Sequence, residues 1–352
     1  MNKGIQTVNI IDFNHSHPLQ AYWQLAGAAV QAEALTLALE LDLFSVLAQP
    51  LDVPAVAARL QLAPGNTGHW LELLWSMALL QRIDGPNGSR YGLSETSRRY
   101  WLPGPQGCVD AWHYRVKALR QAGAGLRQRV FGEPVAAPAK PVSGGQDWAA
   151  AAATHIAQEQ RAISVPAVLG LLQMLPEVQH AERVLDLGGG PGLVAQALAQ
   201  RYPGLHATVF DWPPTAAVAG QLAAEAGLQE RVAIIGGDLA KDGLGEGYDV
   251  IWCSSVLHFV PDCLGLLRRV HGALRPGGVF VCAHAERSEQ PAMNARVMPY
   301  YLPMLMAGRF VPRAGELVGL LTQAGFATVE HAGECDFPMA PLTVRLARKG
   351  VR

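Results

Sequence analysis

The feature that most constrains this chain is a short apolar run that leads into a glycine-rich turn and then into a helix. The run is VLDLGGGPGL, from Val184 to Leu193. A buried strand followed by such a turn brings backbone N–H groups to the N-terminus of the next helix, where a ligand can approach them closely. The segment therefore predicts a ligand-binding crossover in a parallel sheet.

The glycine spacing narrows the class of ligand. A dinucleotide-binding turn has the pattern Gly-x-Gly-x-x-Gly, but the third glycine of that pattern would fall on Leu193. The spacing that is present, Gly188, Gly190 and Gly192, suits a nucleoside with an amino-acid tail and without a diphosphate. Asp186, just before the turn, is placed to order it or to accept from a ligand ammonium group through water.

Short β-rich runs alternate with helical runs from Arg183 onward, which predicts an α/β fold with a parallel sheet and crossover helices. The predicted strands are Val184–Leu187, Ala207–Asp211, Val232–Gly236, Asp249–Ser254 and Val279–Ala283, with a C-terminal hairpin of Ala327–His331 and Leu342–Ala347. Such sheets bind ligands at the carboxyl ends of their strands.

Acidic residues follow two of these strands at that edge. Asp211 ends the second strand, where a carboxylate is placed to accept the hydroxyls of a ribose. Trp212 is next to it and is expected to pack on the adenine face. Asp238 follows the third strand and is expected to meet the adenine amino group.

The N-terminal part of the chain is predicted to be helical, with apolar periodicity in Ala26–Leu47, Val53–Leu60 and Trp70–Leu80. A hairpin over Leu80–Leu93 then resembles the wing of a winged helix. The presumed recognition helix, Thr67–Leu80, has no Lys or Arg but is rich in Trp and Leu. This composition favours a protein interface over a DNA-binding surface.

Length and composition bound the remaining possibilities. A chain of 352 residues is long for one core and predicts more than one domain. With 28 Lys and Arg against 29 Asp and Glu, no overall field attracts nucleic acid, and a small, largely neutral ligand fits better. No signal peptide or membrane span is predicted. The 5 scattered cysteines suggest buried free thiols and no metal site, and we expect a cytoplasmic protein.

Four segments together carry a resemblance to a known family. They are VLDLGGGPG, TVFDWP, RVAIIGGDL, and VLH followed by LLRRVHGALRPGG. They are similar to the O-methyltransferase family that includes plant caffeate-type and bacterial antibiotic-tailoring enzymes. The resemblance implies a Rossmann-like class I methyltransferase sheet, S-adenosylmethionine as cofactor, and a homodimer formed by the N-terminal helical winged-helix domain.

The expected domain division is residues 1–105 for the dimerisation domain, 106–180 for a helical linker that contributes to the acceptor pocket, and 181–352 for the catalytic domain. By the same resemblance, the cofactor-binding residues are expected to be Asp186, Gly188, Gly190, Asp211, Trp212, Asp238, Leu239, Ser254 and Ser255.

The resemblance places the catalytic histidine of the family at His258, and histidine suits a general base because its ordinary pKa is near neutral. The chain departs from the family pattern in two ways. The family usually continues with Asp-Trp, whereas Asp262 is the first acidic residue here and is expected to cap the next helix. The family often has a glutamate that orients the histidine, whereas this chain has His284 there, with Glu286 two residues on as a substitute if the strand bulges. We predict His258 and His284 as the catalytic pair.

The acceptor pocket is predicted along the helix that follows the fifth strand. Its expected lining residues are Trp148, Met298, Tyr301 and Met304, with Trp112, His113, Met293, Tyr300 and Met306 nearby. Methionine adapts to irregular shapes and packs on rings, which indicates an aromatic or otherwise apolar acceptor. Pro299 and Pro303 are expected to break the helix and shape the cavity.

Three functions stay open at this point. The first is an O-methyltransferase acting on a small aromatic metabolite with His258 as base. The second is N- or C-methylation, or another use of S-adenosylmethionine such as cyclisation, which the missing Asp-Trp favours. The third is a transcriptional regulator, which the uncharged recognition helix and the near-zero net charge oppose.

Overall fold

The structure, a computed structural model, describes residues 17–86, 88–133, 146–336 and 339–351. It divides into two compact units, with the division between Pro103 and Gly104. The three-part division expected from the sequence, with its further boundary at residues 180 and 181, stays a prediction.

The N-terminal unit is a helical bundle with a small antiparallel sheet in the strand order β1-β3-β2. Its elements are α1 (Gln20–Glu40), α2 (Leu43–Val46), β1 (Leu51–Asp52), α3 (Val53–Leu60), α4 (Pro64–Ser76), β2 (Leu80–Gly85), β3 (Gly88–Leu93) and α5 (Glu95–Tyr100). The predicted wing is confirmed as the hairpin of β2 and β3, and both strands extend into the predicted turn. Asn87, a residue of that turn, lies outside the described residues.

Two helices of this unit differ from their predicted bounds. The helix expected over Ala26–Leu47 is interrupted after Glu40, and Asp42 adopts a left-handed conformation with φ of 51° before α2 begins. The helix expected from Trp70 starts earlier, because Pro64 stands in its first turn, where a missing N–H breaks no hydrogen bond. α3 has its predicted bounds, and the Asp52 side chain caps it by accepting from the N–H of Ala55 at 2.8 Å.

The C-terminal unit contains a seven-stranded sheet in the order β6-β5-β4-β7-β8-β10-β9. The strands are β4 (Arg183–Leu187), β5 (His206–Asp211), β6 (Val232–Gly236), β7 (Tyr248–Ser254), β8 (Leu274–His284), β9 (Thr328–Asp336) and β10 (Pro341–Arg348). β4 to β8 pair in parallel, and β9 and β10 form the antiparallel hairpin. The predicted Rossmann-like sheet is confirmed.

Both faces of this sheet are covered, so successive strand residues join different cores. In β4, Val184 packs into one hydrophobic cluster and Leu185 into the other. The crossover helices are α12 (Leu193–Arg201), α13 (Pro213–Glu225), α14 (Cys263–Ala273) and α16 (Glu316–Gln323). Asp262 caps α14 as predicted, since its carboxylate accepts from the N–H of Gly265 at 2.8 Å.

The segment before the sheet is helical and contains two irregular stretches. Its elements are α6 (Val109–Ala124), α7 (Leu126–Val130), α8 (Gln146–Ala151), α9 (Ala157–Glu159), α10 (Val165–Leu172) and α11 (Pro176–Gln179). The residues on either side of α9, Ala152–Ile156 and Gln160–Ser164, are π-helical. The helix predicted over Gln146–Met174 is therefore present, but with a changed residue spacing that apolar periodicity does not show.

The helix after β8 is continuous, which makes one expectation wrong. α15 (Pro291–Met306) contains Pro299 and Pro303 without a break. A proline has a helix-compatible φ, but inside a helix it removes one hydrogen bond and its ring crowds the carbonyl four residues earlier. The buried side chains of Val297 and Tyr301 hold this helix against the unit, which outweighs that loss.

Two further observations concern the chain as a whole. Within the described residues, no helix combines the length and apolar character that crossing a membrane requires. The five cysteines form no disulfide; four are buried, as expected, and Cys335 is half-buried.

Candidate functional site

The glycine turn between β4 and α12 lies at the carboxyl edge of the sheet. Gly188 and Gly190 have φ of 71° and 59°, values that side-chain-bearing residues rarely adopt. A Cβ added at Gly188 would lie 2.4 Å from Cγ2 of Val256. Glycine is therefore required there, because the Val256 side chain fills the space that a Cβ would take and the backbone has a positive φ.

A glutamine that the sequence did not single out holds this turn at both ends. Nε2 of Gln160 donates to the carbonyl oxygen of Gly189 at 3.0 Å, and its Oε1 accepts from the N–H of Leu193 at 3.2 Å. The second bond satisfies a free N–H in the first turn of α12. No motif marks Gln160, because it lies in a π-helical stretch far from the turn in the sequence.

Asp211 lies where the sequence placed it, at the end of β5 beside the glycine turn. One carboxylate oxygen accepts from the N–H of Gly190 at 2.8 Å, and the other accepts from the N–H of Trp212 at 2.8 Å. Burial raises the pKa of Asp211, and these two hydrogen bonds oppose that shift. The Trp212 side chain is 41% exposed at the strand edge, where a planar ring is free to cover a ligand.

Asp186 is a buried acid beneath the turn. Its Oδ2 has no hydrogen-bond partner among the described residues, and a Cβ added at Gly189 would lie 2.7 Å from this atom. Burial raises the pKa of Asp186 to about 7, and the neighbouring carboxylate of Asp211 acts in the same direction. The backbone N–H of Ala195 donates to this carboxyl group and opposes the shift, but the buried Oδ2 stays without a donor in the described part of the chain, so the site is suited to a group that supplies a donor or a positive charge.

Asp238 and Leu239 follow β6 in a tight turn at the same edge. The Asp238 carboxylate accepts from the N–H of Ala240 at 2.8 Å, and its own N–H donates to Asp242 at 2.8 Å. The backbone carbonyl of Leu239 accepts from Arg269. These contacts fix the turn, while the predicted contact of Asp238 with adenine stays a prediction.

The end of β7 carries a strained residue. Ser254 is the last residue of the strand, and Ser255 after it has φ of 55°, a left-handed conformation that is uncommon for serine. The Ser255 side chain is hydrogen-bonded to Tyr301 of α15, a contact that helps to hold this conformation. Such strain is found where surrounding contacts fix a functional geometry.

His258 and His284 are brought together, as predicted for a catalytic pair. Nδ1 of His258 lies 3.3 Å from Nε2 of His284, and Nδ1 of His284 lies 2.9 Å from the carbonyl oxygen of Ala285. Burial lowers the pKa of His258 to about 3, with His284 and the positive charge of Arg309 acting in the same direction. Burial also lowers the pKa of His284. Both rings are therefore neutral at physiological pH.

The expectation that Glu286 could substitute for the missing glutamate is wrong. Its carboxylate oxygens accept from Nε and a terminal nitrogen of Arg345 at 3.0 and 2.9 Å, and one of them also accepts from the N–H of Gly315 at 3.3 Å. This pairing satisfies the buried charge at the end of the sheet. The carboxylate of Glu286 is thus committed to Arg345 and does not orient His258.

Aromatic rings surround His258. Its ring centre lies 4.1 Å from that of Phe259 and 5.6 Å from that of Tyr301, and the Trp148 ring meets Phe259 edge-on at 5.3 Å. The structure therefore brings the predicted Trp148 and Tyr301 to the histidine pair. Phe259 belongs to the same group and was missed, because it stands where the family motif has an acidic residue.

The two methionines predicted to line the pocket differ in their surroundings. Met304, like Tyr300, packs against the hydrophobic core of the unit, and Met298 is half-buried on the same helix. A role of either in acceptor binding stays a prediction. The neighbouring Trp112 and His113 are half-buried on α6, and Met306 is largely exposed at the end of α15.

A polar group of α6 and the π-helical segment was also missed by the sequence analysis. Arg115 donates to both carboxylate oxygens of Glu159 at 2.8 and 3.0 Å. Tyr114 stacks on His155 with ring centres 4.7 Å apart. The charges of Arg115 and Glu159 act in opposite directions on the pKa of Tyr301, while burial, the largest effect, raises it. The wall beside Tyr301 thus contains an ion pair as well as rings.

Comparisons with known proteins give consistent results for both units. A family model described as the O-methyltransferase domain matches residues 116–327, and one described as the O-methyltransferase dimerisation domain matches residues 23–102. The chain is 31% identical to N,N-dimethyltransferase OxyT of Streptomyces rimosus over 281 residues, 73% of this chain and 76% of that protein. It is 28% identical to acetylserotonin O-methyltransferase of Bos taurus over 87% of this chain and 92% of that protein.

A similar solved structure extends the comparison to three dimensions. The crystal structure of human N-acetylserotonin methyltransferase in complex with S-adenosylmethionine matches with a TM-score of 0.76 and 25% sequence identity. The match covers 96% of this chain and 99% of that one. The similarity therefore extends over both units of the chain.

Proposed function

Since the chain belongs to the O-methyltransferase family and is an S-adenosylmethionine-dependent methyltransferase of small molecules, we propose that it methylates a hydroxyl group of an aromatic metabolite with His258 as base. The observation that carries this proposal is the position of His258. It lies among aromatic rings, at the end of the strand next to the one that leads into the glycine turn.

The residues present fit the cofactor. The turn at Gly188 and Gly190 carries no side chains, which suits a closely approaching ligand, and the Asp211 carboxylate is suited to the ribose hydroxyls. The unpaired Oδ2 of Asp186 is suited to a donor on the amino-acid part, acting through water. Asp238 and Leu239, with Trp212, provide the expected adenine contacts, and Ser254 and Ser255 complete the set at the end of β7.

The chemistry divides simply between cofactor and protein. S-adenosylmethionine supplies a methyl group on a sulfonium, which is transferred in line to a nucleophile. The contribution of the chain is to align the acceptor, to exclude water and to receive the hydroxyl proton. His258 is neutral and therefore has a lone pair with which to receive it.

The acceptor is aromatic in this proposal because of the side chains around His258. Phe259, Tyr301 and Trp148 present ring faces and edges, which favour stacked or edge-on contacts with a planar ligand. Met298 and Met304 on the same helix add polarizable side chains that adapt to the shape of a ligand.

A second candidate, N-methylation, is favoured by one observation. No carboxylate is bonded to either histidine of the pair within the described residues, so the pair is a weak base. A neutral amine needs less help with its proton than a hydroxyl does. A similar protein is named as an N,N-dimethyltransferase, which is in keeping with this alternative.

Product analysis tests the proposal. The enzyme is incubated with S-adenosylmethionine and a panel of phenols and aromatic amines matched in shape, and the spent cofactor and products are identified by mass spectrometry. S-adenosylhomocysteine together with an O-methylated product is the expected result. Methylation of the amines alone would replace the first candidate by the second, and methylthioadenosine as the only spent cofactor would refute methyl transfer.

The N-terminal unit supports a homodimer in this proposal. The largest exposed apolar side chains of α1 are Tyr22, Trp23, Leu25 and Val30, each more than half exposed. Such a surface is more apolar than an isolated helix in water should present. The dimer was expected through residues of about 19 to 102, on the basis of apolar helices such as Trp70–Leu80; Leu71 and Leu74 of that helix are fully buried within the unit, so α1, in the same range, carries more of the argument.

A further inference from the structure

The two histidines of the site form a directional chain of hydrogen bonds. Its fixed end is the carbonyl oxygen of Ala285, which can only accept a hydrogen bond. Nδ1 of His284, 2.9 Å away, must therefore carry the proton of that bond. Because His284 is neutral, its Nε2 has no proton and offers a lone pair to Nδ1 of His258.

The same reasoning continues into His258. A bond to the lone pair of His284 requires a proton on Nδ1 of His258, at the observed distance of 3.3 Å. A neutral imidazole has one proton, so Nε2 of His258 is left with the lone pair. Without such a partner, a neutral imidazole in water populates both tautomers, and only one of them has its base at Nε2.

From this geometry we infer that His284 is a positioning residue that fixes the tautomer of His258, so that Nε2 is always the basic nitrogen. The inference rests on the proposed role of His258 as the base. The arrangement differs from a histidine–carboxylate pair because all three hydrogen-bonded groups, His258, His284 and the Ala285 carbonyl, are uncharged.

The charged groups near His258 and His284 do not add a second proton to either ring. Glu286 follows β8 beside His284 but is neutralised by Arg345. Arg309 acts on His258 with a positive charge, which disfavours a second proton on the ring. Tyr301 of α15 faces both rings and is itself kept in its neutral phenol form by burial.

Three substitutions at one position separate this role from a merely structural one. His284→Leu removes the acceptor for the Nδ1 proton and keeps an apolar side chain of similar bulk. His284→Gln keeps an acceptor, because its amide oxygen can receive that proton. His284→Glu adds a charge that stabilises the imidazolium form of His258 and should raise its pKa by at least about one unit.

The test is ¹⁵N NMR of the full-length enzyme with labelled histidine, in complex with S-adenosylhomocysteine. The His258 signals are identified by their loss in His258→Gln. We expect wild type and His284→Gln to show a protonated Nδ1 and an unprotonated Nε2 at neutral pH, His284→Leu a mixture of tautomers, and His284→Glu an imidazolium that persists to higher pH. A wild-type His258 protonated at Nε2, or an unchanged tautomer in a folded His284→Leu variant, would overturn the inference.

This experiment is independent of the acceptor. Calorimetry with S-adenosylhomocysteine on the same samples tests the cofactor site, so a failure of the proposed function is seen separately. Loss of binding in wild type would count against the proposed function, whereas intact binding with the wrong tautomer would count against the role of His284 alone.

Discussion

The Asp211 carboxylate accepts a hydrogen bond from the N–H of Gly190 at 2.8 Å, which joins the end of β5 to the glycine turn after β4. The carbonyl oxygen of Asp211 also accepts from the N–H of Gly237 at 2.9 Å, beyond the end of β6. One residue thus ties three strand ends together at the edge where parallel sheets bind their ligands. Its side chain therefore supports the turn as well as facing the proposed ribose position.

Asp211→Ala should weaken the binding of S-adenosylhomocysteine by about 5- to 150-fold, because the loss of a charged hydrogen-bonding partner costs about 1–3 kcal/mol. Isothermal titration calorimetry measures this directly. Asp211→Asn keeps one acceptor oxygen, so its affinity for S-adenosylhomocysteine should lie between those of wild type and Asp211→Ala. The matched control is Glu246→Ala, which removes an exposed carboxylate of the same unit. Unchanged affinity in Asp211→Ala would remove the ribose assignment.

His258→Gln should lower turnover of a hydroxyl acceptor by about 10²- to 10⁴-fold, the usual contribution of a general base. Affinity for S-adenosylhomocysteine should stay near wild type, since the proposed adenosine contacts lie on other strand ends. Single-turnover kinetics and calorimetry separate the two effects. His206→Gln, at an exposed position of β5, is the control for replacing a histidine. A loss of less than about tenfold would point instead to an acceptor that needs no base.

Two buried groups should give opposite pH dependences of stability. His258 has a pKa of about 3 in the folded protein and 6.5 in the unfolded chain. The unfolded chain therefore binds its proton first, and the free energy of unfolding decreases as pH falls below 6.5. Asp186 has a pKa of about 7 when folded and 3.8 otherwise, so stability is lost as pH rises from 3.8 to 7. Each slope approaches about 1.4 kcal/mol per pH unit.

Urea denaturation between about pH 4.5 and 6.5 tests this pair of shifts. His258→Gln keeps the Asp186 contribution alone, so its free energy of unfolding, relative to that of wild type, should fall as pH rises. Asp186→Asn keeps the His258 contribution alone, so its free energy of unfolding, relative to that of wild type, should rise with pH. All other titrating groups are shared, so a variant with the same pH profile as wild type would contradict the assignment of the group that it lacks.

The sequence predicted the parts of the molecule that depend on local patterns. The strands that lead to Asp211 and Gly236 have their predicted ends, because buried parallel strands are apolar runs bounded by turn residues. Asp262 was predicted as a cap from its position alone. The pairing of His258 with His284 followed from the family motif, and the structure adds its distance and direction.

What the sequence could not supply are contacts between distant segments. Gln160 reaches the glycine turn only because helix packing brings it there, and Arg115 meets Glu159 for the same reason. The commitment of Glu286 to Arg345 depends on the pairing of β8 with β10. Pro299 reads as a helix breaker by local rules, whereas packing of α15 decides the outcome.

Gln160→Ala should loosen the glycine turn and weaken binding of S-adenosylhomocysteine by up to about 5- to 150-fold, since two hydrogen bonds of about 0.5–1.5 kcal/mol each are lost. Gln160→Glu keeps the acceptor for the Leu193 N–H and should retain part of the affinity. Hydrogen exchange of the turn amides gives a second measurement. The control is Gln200→Ala, at an exposed position on α12. Equal exchange in all variants would show that the turn holds its shape without Gln160.

Trp23→Glu and Leu25→Glu should convert the proposed homodimer to a monomer, because each places a charge in an apolar interface. Light scattering at micromolar concentration checks the molecular mass of wild type and variants. Glu95→Lys, a charge change at an exposed position of the same unit, serves as the control. A wild-type protein that is monomeric under these conditions would exclude the dimer.

The two π-helical stretches, Ala152–Ile156 and Gln160–Ser164, make chain length a determinant of the site. Each stretch accommodates about one residue more than the same number of α-helical turns, so removing one residue from it would restore α-helical spacing within the stretch. The side chains within the stretch, Gln160 among them, would then point in new directions while the composition of the segment stayed almost the same. The number of residues in this segment, and not only their identity, therefore sets which side chains reach the glycine turn.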